Sequence, residues 1–209
     1  MPQPIWSSAL QALLEKYKGK AHPLDYKNIY QLLVMVVLSA QDSDKHINRI
    51  APPLFKAFPD MKALSKADTG SLLPFLSTVR NFGNKIKWLL QLSQTVKEDK
   101  NIPLSMEKLT ELSGIGRKSA NVIMREAGIK KAEGIIVDLH VVRVAPRIGV
   151  ATGTDPKKIE KQLMEVLPQK DWGEIGMAIS FLGREICRPT DPKCTECPIN
   201  KSCAYYTGL

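Results

Sequence analysis

Cysteine is absent from the chain until position 187, after which all four cysteines follow within one short stretch. That distribution does not suit a disulfide scaffold, which staples distant parts of a small secreted chain. Acidic residues are in deficit, 21 Asp and Glu against 30 Lys and Arg, which excludes a disordered acidic chain. Long apolar runs are lacking as well. The longest, Leu32 to Leu38, falls far short of a membrane span. Glycine and proline number 13 and 14 and follow no period, which excludes a collagen. The start, Met1-Pro2-Gln3-Pro4, has no basic cluster leading into an apolar stretch, so no secretory leader is expected. A soluble intracellular protein is the expectation.

What the chain does have is length, positive charge and helical patterning. Its 209 residues suffice for one large domain or two small ones with a real core. A formal net charge of +9 and a pI of about 9.4 point to a polyanionic partner, nucleic acid first. Asn28 can cap a helix through Ile29, Leu32, Leu33, Val36 and Val37 that is apolar nearly all round and therefore central. Asp155-Pro156 reads as an N-cap with proline at the first helical position, ahead of Ile159, Leu163 and Leu167. Asp171 reads as another N-cap, ahead of Ile175, Ile179 and Leu182. Further helices are expected over 5–17, 43–57, 84–98 and 117–127. Breaks are expected at Ala51-Pro52-Pro53, Asn101-Ile102-Pro103 and Gly149. Only Gly134-Ile135-Ile136-Val137 suggests extended chain, so the fold class is all-α.

Between a short helix ending near Leu112 and a helix beginning near Arg117 lies Ser113-Gly114-Ile115-Gly116. Gly114 and Gly116 permit a tight hairpin with unusual φ and close backbone approach, and Ile115 can plug the core. This is the form of a helix-hairpin-helix, whose free helix-terminal amides can hold a DNA phosphate without reading sequence. Arg117, Lys118, Arg125, Lys130 and Lys131 extend a basic surface. Lys118 is disfavoured as a cation at the positive end of a helix dipole, and if it is also partly buried near other cations its pKa falls further. A neutral amine there can form a Schiff base. A lysine that merely touches phosphate is the other reading of the same position.

The cysteines, Cys187, Cys194, Cys197 and Cys203, follow the pattern C-x6-C-x2-C-x5-C. Four thiolates in one loop suit zinc or an iron–sulfur cluster. Structural zinc sites often pair two C-x2-C knuckles, and here there is one with uneven spacing, which suits the bulkier cluster better.

Taken together, these segments resemble the bacterial endonuclease III family of helix-hairpin-helix DNA glycosylases. The resemblance rests on Leu112-Ser-Gly-Ile-Gly-Arg-Lys118-Ser-Ala-Asn-Val122, Val137-Asp138-Leu139-His140-Val141 and the four-cysteine loop. Leu38-Ser39-Ala40-Gln41-Asp42-Ser43-Asp44 and Gly183-Arg184 also fit it, and the match spans essentially the whole chain. It implies two helical domains with DNA across the cleft between them. One is a six-helix barrel at 22–132, with the helix-hairpin-helix at about 107–127. The other is a discontinuous iron–sulfur domain at 1–21 and 133–209, with its cluster loop at 187–203.

The resemblance also implies a chemistry. A damaged base is flipped from the duplex, Lys118 displaces it at C1′, and β-elimination through the Schiff base cuts the strand. Asp138 supplies negative charge beside the cationic sugar, although a helix N-cap at Leu139 to Ala145 is its reading from local sequence. His140 is read as structural or a phosphate contact. Gln41 inserts into the gap left by the base. Asn81, ahead of Phe82, stands where the family often has an apolar wedge, and Leu139 stands where it commonly has threonine. A four-iron, four-sulfur cluster held by Cys187, Cys194, Cys197 and Cys203 anchors a basic loop bearing Arg188 and Lys193, stiffened by Pro189 and Pro192. Gly114, Gly116, Arg117, Lys118, Arg188 and Lys193 contact DNA, with Lys85 and Lys87 as further phosphate ligands. The implied protein is a cytoplasmic, nucleoid-associated bacterial monomer acting on oxidised pyrimidines and abasic sites in double-stranded DNA. A DNA-binding module without chemistry shares the charge, glycines and cysteines but does not explain Lys118 with Asp138. Adenine glycosylases lack this lysine, and an electron-transfer protein has no use for the hairpin.

Overall fold

A computed structural model of the chain describes residues 5–208. The reading of Met1-Pro2-Gln3-Pro4 lies outside those residues. In chain order the helices are α1 (Trp6–Ala9), α2 (Gln11–Lys16), α3 (Ile29–Ser39), α4 (Asp44–Ala57), α5 (Met61–Leu64), α6 (Thr69–Leu76) and α7 (Phe82–Val96). They continue with α8 (Met106–Thr110), α9 (Arg117–Glu126), α10 (Leu139–Ile148), α11 (Pro156–Val166), α12 (Trp172–Glu185) and α13 (Ala204–Thr207). No strand occurs among the described residues, so the protein is all-α. No helix among them is long and apolar enough to cross a membrane. The chain separates into two compact units, Ala21–Gly128 and the discontinuous Met1–Lys20 with Ile129–Leu209.

The continuous unit is built around α3. Asn28 caps it by accepting the Gln31 N–H at 2.9 Å, and every residue from Leu32 to Leu38 is buried. A helix buried on all sides needs neighbours on all sides, and α4, α7 and α9 supply them. The buried Tyr30 donates its hydroxyl to the Phe58 carbonyl at 2.7 Å, which satisfies the one polar atom that this residue takes into the core. Pro52 and Pro53 do not break the chain as expected but lie inside α4. Both are exposed, so the carbonyls left without partners four residues earlier can turn to water. The helix expected over 84–98 starts two residues sooner and stops at Lys97, whose φ of 66° is incompatible with continuation.

In the discontinuous unit α12 packs against α10 and α2. Gly176 of α12 makes this packing possible: a Cβ there would sit 2.4 Å from the Ile136 carbonyl oxygen. The segment 135–137 is thereby laid against α12 without forming a ladder. Its Ile135 N–H is donated to the buried Glu160 carboxylate at 3.1 Å. Asp155 caps α11 as expected, accepting the Lys157 N–H at 2.8 Å. Asp171 does not cap α12 with its side chain, because a 3-10 turn over Gln169–Asp171 already occupies the approach. The Gln11 amide donates to its Oδ2 at 3.3 Å instead. The helix expected over 5–17 is divided at Leu10, where a ψ of −5° turns the chain while Leu10 and Leu13 both stay buried.

Candidate functional site

The hairpin lies in the continuous unit between α8 and α9. Gly114 has a φ of +82°, and a Cβ on it would come within 3.2 Å of both Trp88 and Val37, so glycine is required there twice over. Ile115 is buried and donates its N–H to the Leu112 carbonyl at 3.1 Å, closing the turn. Gly116 corrects the expectation of two unusual φ values. Its φ of −96° suits any residue, and a Cβ would meet nothing within 4 Å. As the N-cap of α9 it brings no side chain to the helix terminus. The protein's own packing therefore does not explain this glycine.

Lys118 is the second residue of α9 and is exposed, so the burial that would lower its pKa further is not present. Arg117 precedes it. Arg125 does not extend a free basic surface, because its guanidinium is paired with Glu126, which also accepts the Tyr26 hydroxyl. Close by, the His22 pKa is lowered to about 4. Burial is the main cause, and the charges of Lys118 and Arg125 push the same way, against Glu126 and Asp44. His22 Nδ1 accepts the Leu24 N–H at 3.1 Å, as a neutral imidazole should.

In the same unit Gln41 follows α3 and Asn81 precedes α7. Both are exposed, and both have a φ of 59°, in the left-handed region. Phe82 is partly exposed and is not a core residue. Lys85 overturns its expected role as a phosphate ligand. It is 1% exposed, and its ammonium donates to the Leu38 carbonyl at 2.6 Å, at the end of α3. Burial lowers its pKa, and Asp42 opposes that shift. Lys87 remains exposed.

Asp138 belongs to the discontinuous unit and begins α10. Its Oδ1 accepts the N–H groups of His140 and Val141, both at 2.9 Å, so the expected N-cap is present. The second oxygen is occupied too. Ser180 of α12 donates its hydroxyl to Oδ2 at 2.6 Å, and Arg184 stands 4.0 Å from the same atom. The side chain is 14% exposed. Nothing in the sequence marked Ser180, although its spacing from Arg184 puts both on one face of α12. Leu139, next to Asp138, is 82% exposed. His140 faces Arg143, which donates to the Gly183 and Cys187 carbonyls at 2.8 and 3.2 Å.

Cys187, Cys194, Cys197 and Cys203 are all unbridged and line one pocket. Arg147, from the last turn of α10, pins the loop by donating to the Arg188 carbonyl at 2.7 Å and lies over the Tyr205 ring. Burial raises the pKa of the Cys194 and Cys197 thiols, and the neighbouring cysteines add to that rise. Four such groups become thiolates together only around a strongly cationic centre. Among the described residues no three Cys, His, Asp or Glu side chains converge as one metal ion requires. Four soft donors lining one pocket suit a thiophilic metal centre, zinc or iron–sulfur. Arg188 is exposed, and Lys193 forms a surface pair with Glu196 at 3.7 Å that phosphate can displace.

A tight glycine hairpin leading into a helix whose N-cap is itself glycine, with Arg117 and Lys118 in its first turn, defines a class. Residues 34–169 match the HhH-GPD superfamily of base excision DNA repair proteins, and the chain belongs to that superfamily. Its relatives narrow the class further. Endonuclease III of Synechocystis sp. is 37% identical over 93% of this chain and 89% of its own length. Endonuclease III of Bacillus subtilis is 33% identical over 86% and 83%. A solved structure of a trapped endonuclease III–DNA covalent intermediate superposes with a TM-score of 0.85 at 27% identity, covering 96% of this chain and 95% of that one.

Proposed function

We propose that the protein is a base-excision repair enzyme that removes oxidised pyrimidines from duplex DNA and then cleaves the strand at the abasic site. Lys118 is the nucleophile. Its unprotonated Nζ forms a bond to C1′ while the glycosidic bond breaks, and the base leaves with that electron pair and takes up a proton. Opening of the sugar ring gives a Schiff base. Loss of the C2′ proton then expels the 3′ phosphate by β-elimination. Asp138 holds negative charge beside the cationic sugar through the lone pairs left on Oδ2. The hairpin amides near Gly114 and Gly116 hold a phosphate, with Arg117, Arg188 and Lys193 as further phosphate contacts. Gln41 and Asn81 fill the gap left by the flipped base.

The observation that carries this reading is Lys118: an exposed lysine in the first turn of α9, two residues after a glycine that internal packing does not require. A relative caught covalently on DNA supports it. Borohydride added to the protein with a duplex containing an oxidised pyrimidine should trap a covalent adduct, and the Lys118→Ala variant should give none. A folded wild-type protein that fails to trap sinks the lyase step.

Cys187, Cys194, Cys197 and Cys203 hold a four-iron, four-sulfur cluster in this reading. When bound, the cluster supplies a covalent anchor for the loop and no electron to the reaction. An absorption band near about 400 nm distinguishes it from colourless zinc. Acting on double-stranded DNA as a monomer, the protein belongs with the nucleoid.

A further inference from the structure

Two non-glycine residues of the continuous unit, Gln41 and Asn81, share a left-handed backbone with a φ of 59°. Such a conformation is uncommon, above all for glutamine, and persists where the surroundings impose it. Asn81 Oδ1 accepts the Asn84 amide at 3.1 Å, and the residues beside both positions tie the two loops together.

Asp42 follows Gln41, and its carboxylate reaches across to the other loop. Its Oδ2 accepts the Arg80 N–H at 3.0 Å, the amide immediately before Asn81. Its Oδ1 accepts the Ser43 N–H at 2.8 Å and meets His46 Nδ1 at 2.8 Å. His46 Nε2 lies 3.2 Å from the Thr78 hydroxyl, a second link between the loops. The buried Lys85 makes a third, from α7 to the Leu38 carbonyl, while its own N–H bonds to Asn81 O at 3.2 Å.

We propose that Asp42 is a positioning residue that couples Gln41 and Asn81, so that the two enter the duplex as one element. This rests on the reading of both as gap-filling residues. Burial works against the Asp42 charge, but the Arg80 and Ser43 N–H groups and His46 outweigh it and hold the carboxyl below its ordinary range. A carboxylate accepting amides from both loops ties the position of one to the other, which a side chain bound to one loop cannot do. Lys85 brings the balancing positive charge to the same end of α3.

The test is a mutant cycle read as a ratio. Single-turnover base removal from a lesion-bearing duplex is divided by cleavage of an abasic site in a single strand, where no gap needs filling. Gln41→Ala and Asn81→Ala should each lower the ratio, and in combination should do little more than either alone. Asp42→Ala should lower it about tenfold with single-strand cleavage unchanged, and in that background the Gln41 and Asn81 losses should become independent. Asp42→Asn, nearly isosteric, should fall between wild type and Asp42→Ala, because its one carbonyl oxygen can accept only one of the Arg80 and Ser43 N–H groups while its NH2 faces the other. Wild-type ratios in both Asp42 variants overturn the proposal. So does an equal fall in duplex and single-strand rates, which marks a structural role. If Gln41→Ala and Asn81→Ala leave the duplex rate unchanged, the gap-filling reading itself fails, and the coupling with it.

Discussion

Lys118 and Asp138 are held in opposite ways. Lys118 stands exposed in the first turn of α9, behind a glycine N-cap that offers no side chain. Asp138 is mostly buried, with two backbone amides on one oxygen and Ser180 on the other. The contrast matches the two roles proposed for these groups. A nucleophile has to lose a proton, reach a carbon and stay attached while the sugar rearranges, so its side chain has to be accessible. A carboxylate that stabilises positive charge works best where it cannot move, because its field is then in place before charge develops.

Replacing each residue breaks the contrast from one side. Lys118→Ala should cut strand cleavage of damaged duplex about a thousandfold or more, while affinity measured by fluorescence anisotropy changes only a few-fold. Asp138→Asn should lower turnover by about a hundredfold with the melting temperature nearly kept, since an amide oxygen can still cap α10. Asp138→Ala should lose the cap as well, with a further stability loss of about 1 kcal/mol in urea unfolding.

The two hairpin glycines sharpen the comparison at a smaller scale. Gly116→Ala should weaken duplex binding by about tenfold without lowering the melting temperature. Gly114→Ala should instead destabilise the fold by about 1–2 kcal/mol, through its positive φ and the crowding against Trp88 and Val37. A smaller effect reports on the charge near Lys118. With a folded pKa of about 4 against 6.5 when free, His22 is neutral in both states above about pH 6.5. As pH falls from there towards 4, the unfolded chain takes up a proton that the folded one refuses, and stability is lost. The loss should be about 1 kcal/mol by denaturant titration after allowance for partial exposure, absent in His22→Gln and reduced in Lys118→Gln.

Local chemistry was legible in the sequence where it was also decisive. Asn28 and Asp155 cap their helices as their neighbours imply, and the hairpin glycines sit at the turn. Asp171 shows where the local rule fails: a competing 3-10 turn and Gln11, distant in the chain, take over. Pro52 and Pro53 read as a break because proline removes a donor, but only burial would have made that loss decisive. Lys85 counted as one more surface charge, yet its burial is set by α3, which comes much earlier in the chain. The second partner of Asp138 was likewise hidden, because Ser180 and Arg184 become its neighbours only when α12 packs on α10. The pinning of the cysteine loop by Arg143 and Arg147 was invisible for the same reason.

Gly116 sets stability against use at a single position. Serine or aspartate there would cap α9 and add a few tenths of a kcal/mol, at a φ that either residue adopts freely. Laboratory evolution for heat resistance alone would therefore be free to discard this glycine. Its product would be a sturdier protein that, on the proposed reading, has closed its own grip on the phosphate backbone.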